Sequence, residues 1–208
     1  MARAAAERAD WLRAGLCGID EAGRGPLAGP VYAGAVVLPV DFPLDLLADS
    51  KALSASRREE AFALIAAKAT WAVDWASPSE IDSLNILGAT FLAMDRAWRA
   101  LLGRLEAAGL PPPLEVLVDG NRAPSLGEGP TRPLKLGTLV RGDSLVPAIM
   151  AASIAAKVAR DRAMERFDWL YPGYGYARHK GYPTRDHRER VLALGPSPIQ
   201  RASFRVRL

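Results

Sequence analysis

A chain of 208 residues, half of them hydrophobic and 24% charged, can bury a core and reads most simply as one domain over 1–208 rather than as a disordered segment. Its single cysteine, Cys17, excludes an intrachain disulfide and a thiolate metal cluster. No apolar stretch has the length of a signal core or a bilayer span, so a soluble, cytoplasmic protein is expected. The net charge of +4 is unevenly placed: from Arg178 to Leu208 eight Arg or Lys stand against only Asp186 and Glu189, leaving the rest slightly acidic. A basic region over about 171–208 beside an acidic body over about 15–170 suits a polyanion held near carboxylates, though a solvated tail would carry the same charge.

In chain order, Leu16 to Asp20 and Val31 to Leu38 read as strands, with a glycine- and proline-rich turn between them in which Pro26 and Pro30 oppose an immediate helix. Ser56 and Glu59 form a possible capping box for a helix to about Thr70. Trp71 to Trp75 is a short strand. A long helix then starts at Ile81 or Asn85 and ends at Ala108, before Gly109 and three prolines. Its stripe of Leu87, Phe91, Met94, Trp98, Leu101 and Leu105 has helical spacing and is expected to pack as core. Leu114 to Val118 and Leu136 to Val140 are strands separated by a loop at Pro124–Pro133. Pro147 opens a helix rich in small residues that runs to about Phe167, and a last short helix spans about Thr184 to Leu194. The order describes an α/β protein with some strands joined as a hairpin and others through helices.

Three apolar strands end in acidic residues near a glycine: Asp20-Glu21, Asp119-Gly120 and Gly142-Asp143. Each alone could be a solvated turn former. Converging strand ends would place like charges together, which a divalent cation relieves; hard oxygen donors favour Mg2+ or Mn2+. Asp20 and Glu21 alternate across a regular strand, so a shared site requires the strand to end or twist there. Gly23-Arg24-Gly25 follows at once, exposing main-chain groups beside a guanidinium suited to phosphate. Carboxylates and an anion-binding turn together describe metal-dependent phosphoryl transfer. A dinucleotide-binding reading fails because the third glycine is misplaced and prolines interrupt the helix. His179 and His187 lie outside compact zinc spacing, and Cys17 reads as a buried strand residue.

The run Asp20-Glu21-Ala22-Gly23-Arg24-Gly25-Pro26-Leu27-Ala28-Gly29-Pro30-Val31 resembles the opening motif of the bacterial ribonucleases HII, of the type 2 ribonuclease H family. Val118-Asp119-Gly120-Asn121-Arg122, Gly142-Asp143-Ser144, the helix segment Ala151 to Asp161, Tyr174-Gly175-Tyr176, His179 to Thr184 and Arg201-Ala202-Ser203-Phe204 continue the similarity in order, from about Gly15 to Phe204. The resemblance implies a ribonuclease H-like mixed β-sheet flanked by helices, with a small helical C-terminal region. It implies Asp20, Glu21, Asp119 and Asp143 as catalytic ligands of two Mn2+ or Mg2+ ions. The implied activity is endonucleolytic cleavage of RNA in RNA–DNA hybrids and nicking 5′ to single ribonucleotides in duplex DNA, as in ribonucleotide excision repair, leaving 5′-phosphate and 3′-hydroxyl ends. Gly23, Arg24, Gly25 and Tyr182 would read the ribose, with His179, Lys180, Arg122 and Lys157 near phosphate. Ser153 and Lys157, at i and i+4, could approach the site together, and Arg160 is a further phosphate candidate.

The interval from Asp119 to Asp143 is longer than the pattern leads one to expect, and the excess falls around Pro124–Pro133. The short termini favour this type over the related type 3 enzymes. A monomer without membrane partners is expected. A DNA nuclease on the same scaffold would not need the ribose-reading residues, and a non-catalytic hybrid-binding protein would not need all four carboxylates.

Overall fold

The computed structural model describes residues 11–13, 15–47, 53–126 and 135–205. The elements are β1 (Leu16–Ala22), β2 (Val31–Val37), α1 (Ala55–Lys68), β3 (Thr70–Ala76), α2 (Pro78–Ala107), β4 (Glu115–Asp119), β5 (Lys135–Leu139), α3 (Gly142–Leu145), α4 (Pro147–Leu170), α5 (Tyr176–His179) and α6 (Arg185–Leu194). The five strands form one mixed sheet in the order β3-β2-β1-β4-β5. β1, β2 and β3 are antiparallel neighbours, whereas β1, β4 and β5 run parallel. This is the expected ribonuclease H-like α/β arrangement, with α5 and α6 forming the small C-terminal helical region.

Strand alternation divides the sheet between two helical layers. Cys17, Ile19, Val116 and Val118 pack with Ala93, Met94, Trp98 and Leu101 of α2. On the other face, Leu16 and Leu117 pack with Ala148 and Ile149 of α4, and Val36 packs with Met150, Ala151 and Ile154. α4 lies against the strands because both sides are small. A Cβ on Gly18 would stand 2.2 Å from the Ala148 carbonyl carbon, and one on Gly34 would stand 2.4 Å from the Ala152 oxygen.

Helix starts differ from expectation in an instructive way. Ser54, not Ser56, caps α1, its hydroxyl accepting from the Arg57 N–H; Ser56 sits inside the first turn and bonds Glu60. The capping box belongs to α2, where Ser77 and Glu80 satisfy each other's backbone N–H groups ahead of Ile81. α2 is also interrupted at Asn85 (φ 60°, ψ 169°), whose Oδ1 accepts from the Leu87 and Gly88 N–H groups. Both anticipated starts are therefore near real caps, one for each segment of a kinked helix. The excess between Asp119 and Asp143 lies mostly outside the described residues, as does the last basic residue, Arg207.

Replacing Gly18 by Ala forces α4 away from β1. Urea unfolding of Gly18→Ala is expected to show a loss of about 1–3 kcal/mol, and an unchanged midpoint would contradict this close approach.

Candidate active site

Parallel pairing of β1 with β4 sets Ile19 opposite Val118, so Asp20 and Asp119 follow at the same end of adjacent strands. Both belong to the α4-facing set, in step with Gly18 and Leu117. Asp143 arrives on α3, directly before α4, and its backbone N–H donates to Asp119 Oδ1 at 3.3 Å. One oxygen from each of Asp20, Asp119 and Asp143 lies within 4.8 Å of the others. Asp20 and Asp143 are buried, and Asp119 is partly so.

The electrostatics follow from this packing. Burial first, then the charges of Glu21 and Asp119, push the Asp20 carboxyl well above the usual carboxylate range. The Ser153 side chain of α4 and the Glu21 N–H, at 2.7 Å, hydrogen-bond Asp20 and oppose that rise. Hydrogen bonds thus fix the orientation of a carboxylate that the surroundings do not neutralise. Three hard-oxygen donors this close fit a divalent cation of the Mg2+ or Mn2+ kind.

Glu21 takes a different place. β1 does not end at Asp20 but continues to Ala22, paired with Tyr32, so Glu21 points to the opposite face. It lines a cleft of about 280 Å³ with Asp119, Arg24, Arg122, Leu87 and Phe91, and its Oε1 pairs with Arg24 Nη1 at 3.3 Å. Leu87 and Phe91, expected wholly in the core, are instead only partly buried and form the apolar wall of this cleft.

The turn Gly23-Arg24-Gly25 and Tyr182 do come together. A Cβ on Gly25 would lie 3.8 Å from the Tyr182 ring, and the Leu27 N–H donates to the Gly181 carbonyl at 2.8 Å. Gly23 has φ +101°, and a side chain there would strike Arg160. The remaining predicted contacts are disposed otherwise. His179 is buried, with Nε2 on the Tyr174 carbonyl and Nδ1 accepting the Gly181 N–H, so neither ring nitrogen is offered outward. Lys180 pairs with Glu165, and Lys157 with Asp161, while burial lowers the Lys157 ammonium from its ordinary value. Of the Ser153–Lys157 pair, Ser153 is the one that reaches an active-site carboxylate.

The residue whose part was not foreseen is Arg201. It is fully buried and donates to four carbonyls of the turn: Gly23 at 2.6 Å, Arg24 at 3.0 Å, Pro26 at 2.7 Å and Gly29 at 2.8 Å. Arg160, also buried, donates to Ala28 and Pro30, and its guanidinium lies 5.8 Å from the Tyr182 ring centre. Burial, chiefly, depresses both guanidinium pKa values. The Arg201-Ala202-Ser203-Phe204 motif had drawn notice, but an arginine spent on backbone carbonyls has no sequence signature distinguishing it from a phosphate ligand. Asp82 secures the same segment by accepting from the Ala202 and Ser203 N–H groups.

A family model described as Ribonuclease HII matches residues 17–207. The chain belongs to the ribonuclease HII family. It is 49% identical over 201 residues to a ribonuclease HII of Treponema denticola, covering 92% of this chain and 98% of that protein. A Bordetella avium ribonuclease HII is 51% identical over 191 residues, covering 91% and 88% respectively. Among solved structures, a chain of the PCNA:RNase HII complex from Archaeoglobus fulgidus superposes with a TM-score of 0.69 at 26% identity, covering 93% of this chain and 96% of that one. Among the described residues of this family member, no helix is long and apolar enough to cross a membrane.

Lysine cannot reproduce the planar fork of Arg201. Arg201→Lys is expected to leave buried carbonyls unsatisfied and cost about 1–3 kcal/mol in chemical denaturation; stability equal to that of the parent would contradict the anchoring role.

Proposed function

We propose that this protein is a metal-dependent endonuclease that hydrolyses the RNA strand of RNA–DNA hybrids and nicks duplex DNA on the 5′ side of an embedded ribonucleotide. The observation carrying this reading is the meeting of two chemistries: an aspartate cluster beside the sheet end and, directly after β1, a glycine–arginine turn packed against Tyr182. Neither a DNA nuclease nor a binding protein requires both.

In this reading Asp20, Asp119 and Asp143 hold divalent cation, with Glu21 approaching from the cleft side. A bound Mg2+ or Mn2+ would neutralise phosphoryl charge and lower the pKa of water. Ser153 keeps Asp20 oriented. Water attacks phosphorus and the P–O3′ bond breaks, so the upstream strand leaves with a 3′-hydroxyl and the ribonucleotide retains a 5′-phosphate.

The ribose 2′-hydroxyl, which both donates and accepts, is the only group separating the target from DNA. The main chain of Gly23–Gly25 supplies polar partners, and Tyr182 bounds the sugar with its ring and hydroxyl. Arg24 and Arg122 lie on the cleft and meet phosphate. Lys157 and Lys180, already paired with carboxylates, contribute at longer range. A cytoplasmic monomer acting on hybrid and ribonucleotide-containing duplexes is the setting this reading assumes, over the single catalytic domain 1–208.

An end-labelled duplex with one ribonucleotide, incubated with Mg2+ or Mn2+, is expected to be nicked at its 5′ side. Asp119→Asn should lower the rate at least about a hundredfold, with an all-DNA duplex left whole. Equal cutting of the all-DNA control, or no nick in either metal, would overturn the proposal.

A further inference from the structure

We propose that His179 and His187 form a stacked, neutral pair, each locked in one tautomer, that positions Tyr182 and thereby sets how well a ribose is recognised. This rests on the reading of Tyr182 just given. The two rings lie 4.3 Å apart at 16°, and Tyr176 stands edge-on to both at 5.9 and 5.6 Å. His187 is wholly buried and His179 nearly so.

Hydrogen bonding dictates where the protons are. A carbonyl can only accept, so His179 Nε2, 2.8 Å from the Tyr174 oxygen, carries hydrogen. Its Nδ1 accepts the Gly181 N–H at 3.2 Å and carries the lone pair. His187 has the opposite arrangement: Nδ1, 2.9 Å from the Tyr182 carbonyl, carries hydrogen, while Nε2 is buried without a hydrogen-bond partner. Protonating His179 would set two N–H groups against each other. Protonating His187 would bury a charge that the backbone groups of Tyr182 and Gly181 favour but that desolvation outweighs, and a second charge 4.3 Å from the first would be repelled.

These bonds grip the peptide groups on both sides of Tyr182. His179 holds the Gly181 N–H and, through its own carbonyl, the Tyr182 N–H at 2.9 Å. His187 and the Thr184 N–H both donate to the Tyr182 carbonyl. Tyr182 is 40% exposed beside Gly25, with the Arg160 guanidinium 5.8 Å from its ring, so its aim depends on the backbone more than on enclosure.

The charged and titratable groups facing the pair are Asp186 and Arg190 of α6, mutually paired at 2.9 Å, and Asp168 of α4. Asp186 favours protonation of both rings; Asp168 favours it and Arg190 opposes it at His179. Burial exceeds them, and both imidazoles lie below their ordinary value. The unfolded chain takes up these protons near pH 6.5. The pair's stabilisation is therefore complete above about 6.5 and is lost as pH falls towards the depressed native values.

The chain has only two histidines, so 15N NMR of metal-free, histidine-labelled protein reads them directly. His179 is expected as the Nε2–H tautomer and His187 as the rarer Nδ1–H tautomer, both staying neutral to lower pH than an ordinary imidazole. Reversed tautomers, or ordinary titration near 6.5, would overturn the proposal. Function is tested with His187→Leu, which removes the donor, and His187→Asn, which retains a neutral one near the Nδ1 position. Each is placed in the parent and in Tyr182→Ala. On the single-ribonucleotide duplex, His187→Leu is expected to lower kcat/KM about tenfold in the parent and less than about twofold without Tyr182, with His187→Asn recovering most of the loss. Equal losses in both backgrounds would show that His187 does not act through Tyr182. A parent enzyme that fails to nick this substrate would instead remove the proposed function itself, and with it the role assigned to the pair.

Discussion

Asp20, Asp119 and Asp143 hold carboxylate oxygens within 4.8 Å of one another, two of the three side chains being buried, and the architecture around them sustains that repulsion. Left to themselves, such groups would separate or protonate. Parallel pairing of β1 and β4 denies the first escape to Asp20 and Asp119. α3 brings Asp143 in by its backbone, with its N–H on Asp119. α4 then closes over the sheet at Gly18 and Gly34, a distance at which Ser153 can bond Asp20. The close, alanine-rich contact is thus a condition of the site as well as of the core.

A second constraint concerns the basic surface. The excess of positive charge after Arg178 suggests a substrate-facing surface, yet much of it serves the fold. Arg201 is consumed by turn carbonyls, Lys180 by Glu165, Arg185 by Glu189 and Arg190 by Asp186. Exposed pairs such as these contribute little to stability. The buried guanidiniums contribute more because they satisfy carbonyls that water cannot reach. They also tie the turn beside the carboxylates to two separate segments of the chain.

Much of this was legible in the residues. All five strands lie where alternation and turn composition put them, and Asp20 and Asp119 converge because two strand-end signals refer to one end of one sheet, whereas Asp143, expected at a third strand end, joins them from the short helix after β5. Local ambiguity explains several differences. Ser54 and Ser56 are equally plausible caps by composition, and only the reach of the Ser54 hydroxyl to the Arg57 N–H separates them. Glu21 follows Asp20 within a strand that stays paired through Ala22–Tyr32, so it reaches the site from the cleft side, beside Asp119, rather than from the face of Asp20. His179 in a motif beside Tyr182 suggests a ligand, whereas burial and two backbone partners make it part of the scaffold. Long-range contacts of Arg201, spanning more than 170 positions, leave no trace in periodicity or spacing.

If a divalent cation relieves the repulsion among the three aspartates, thermal unfolding with and without Mn2+ will register it. The parent should gain stability on adding Mn2+. A variant with Asp20, Asp119 and Asp143 all changed to Asn should melt higher than the metal-free parent, by roughly 2–4 °C for each kcal/mol of repulsion removed, and should not respond to Mn2+. An equal Mn2+ response in both proteins, or a variant less stable than the metal-free parent, would contradict the account.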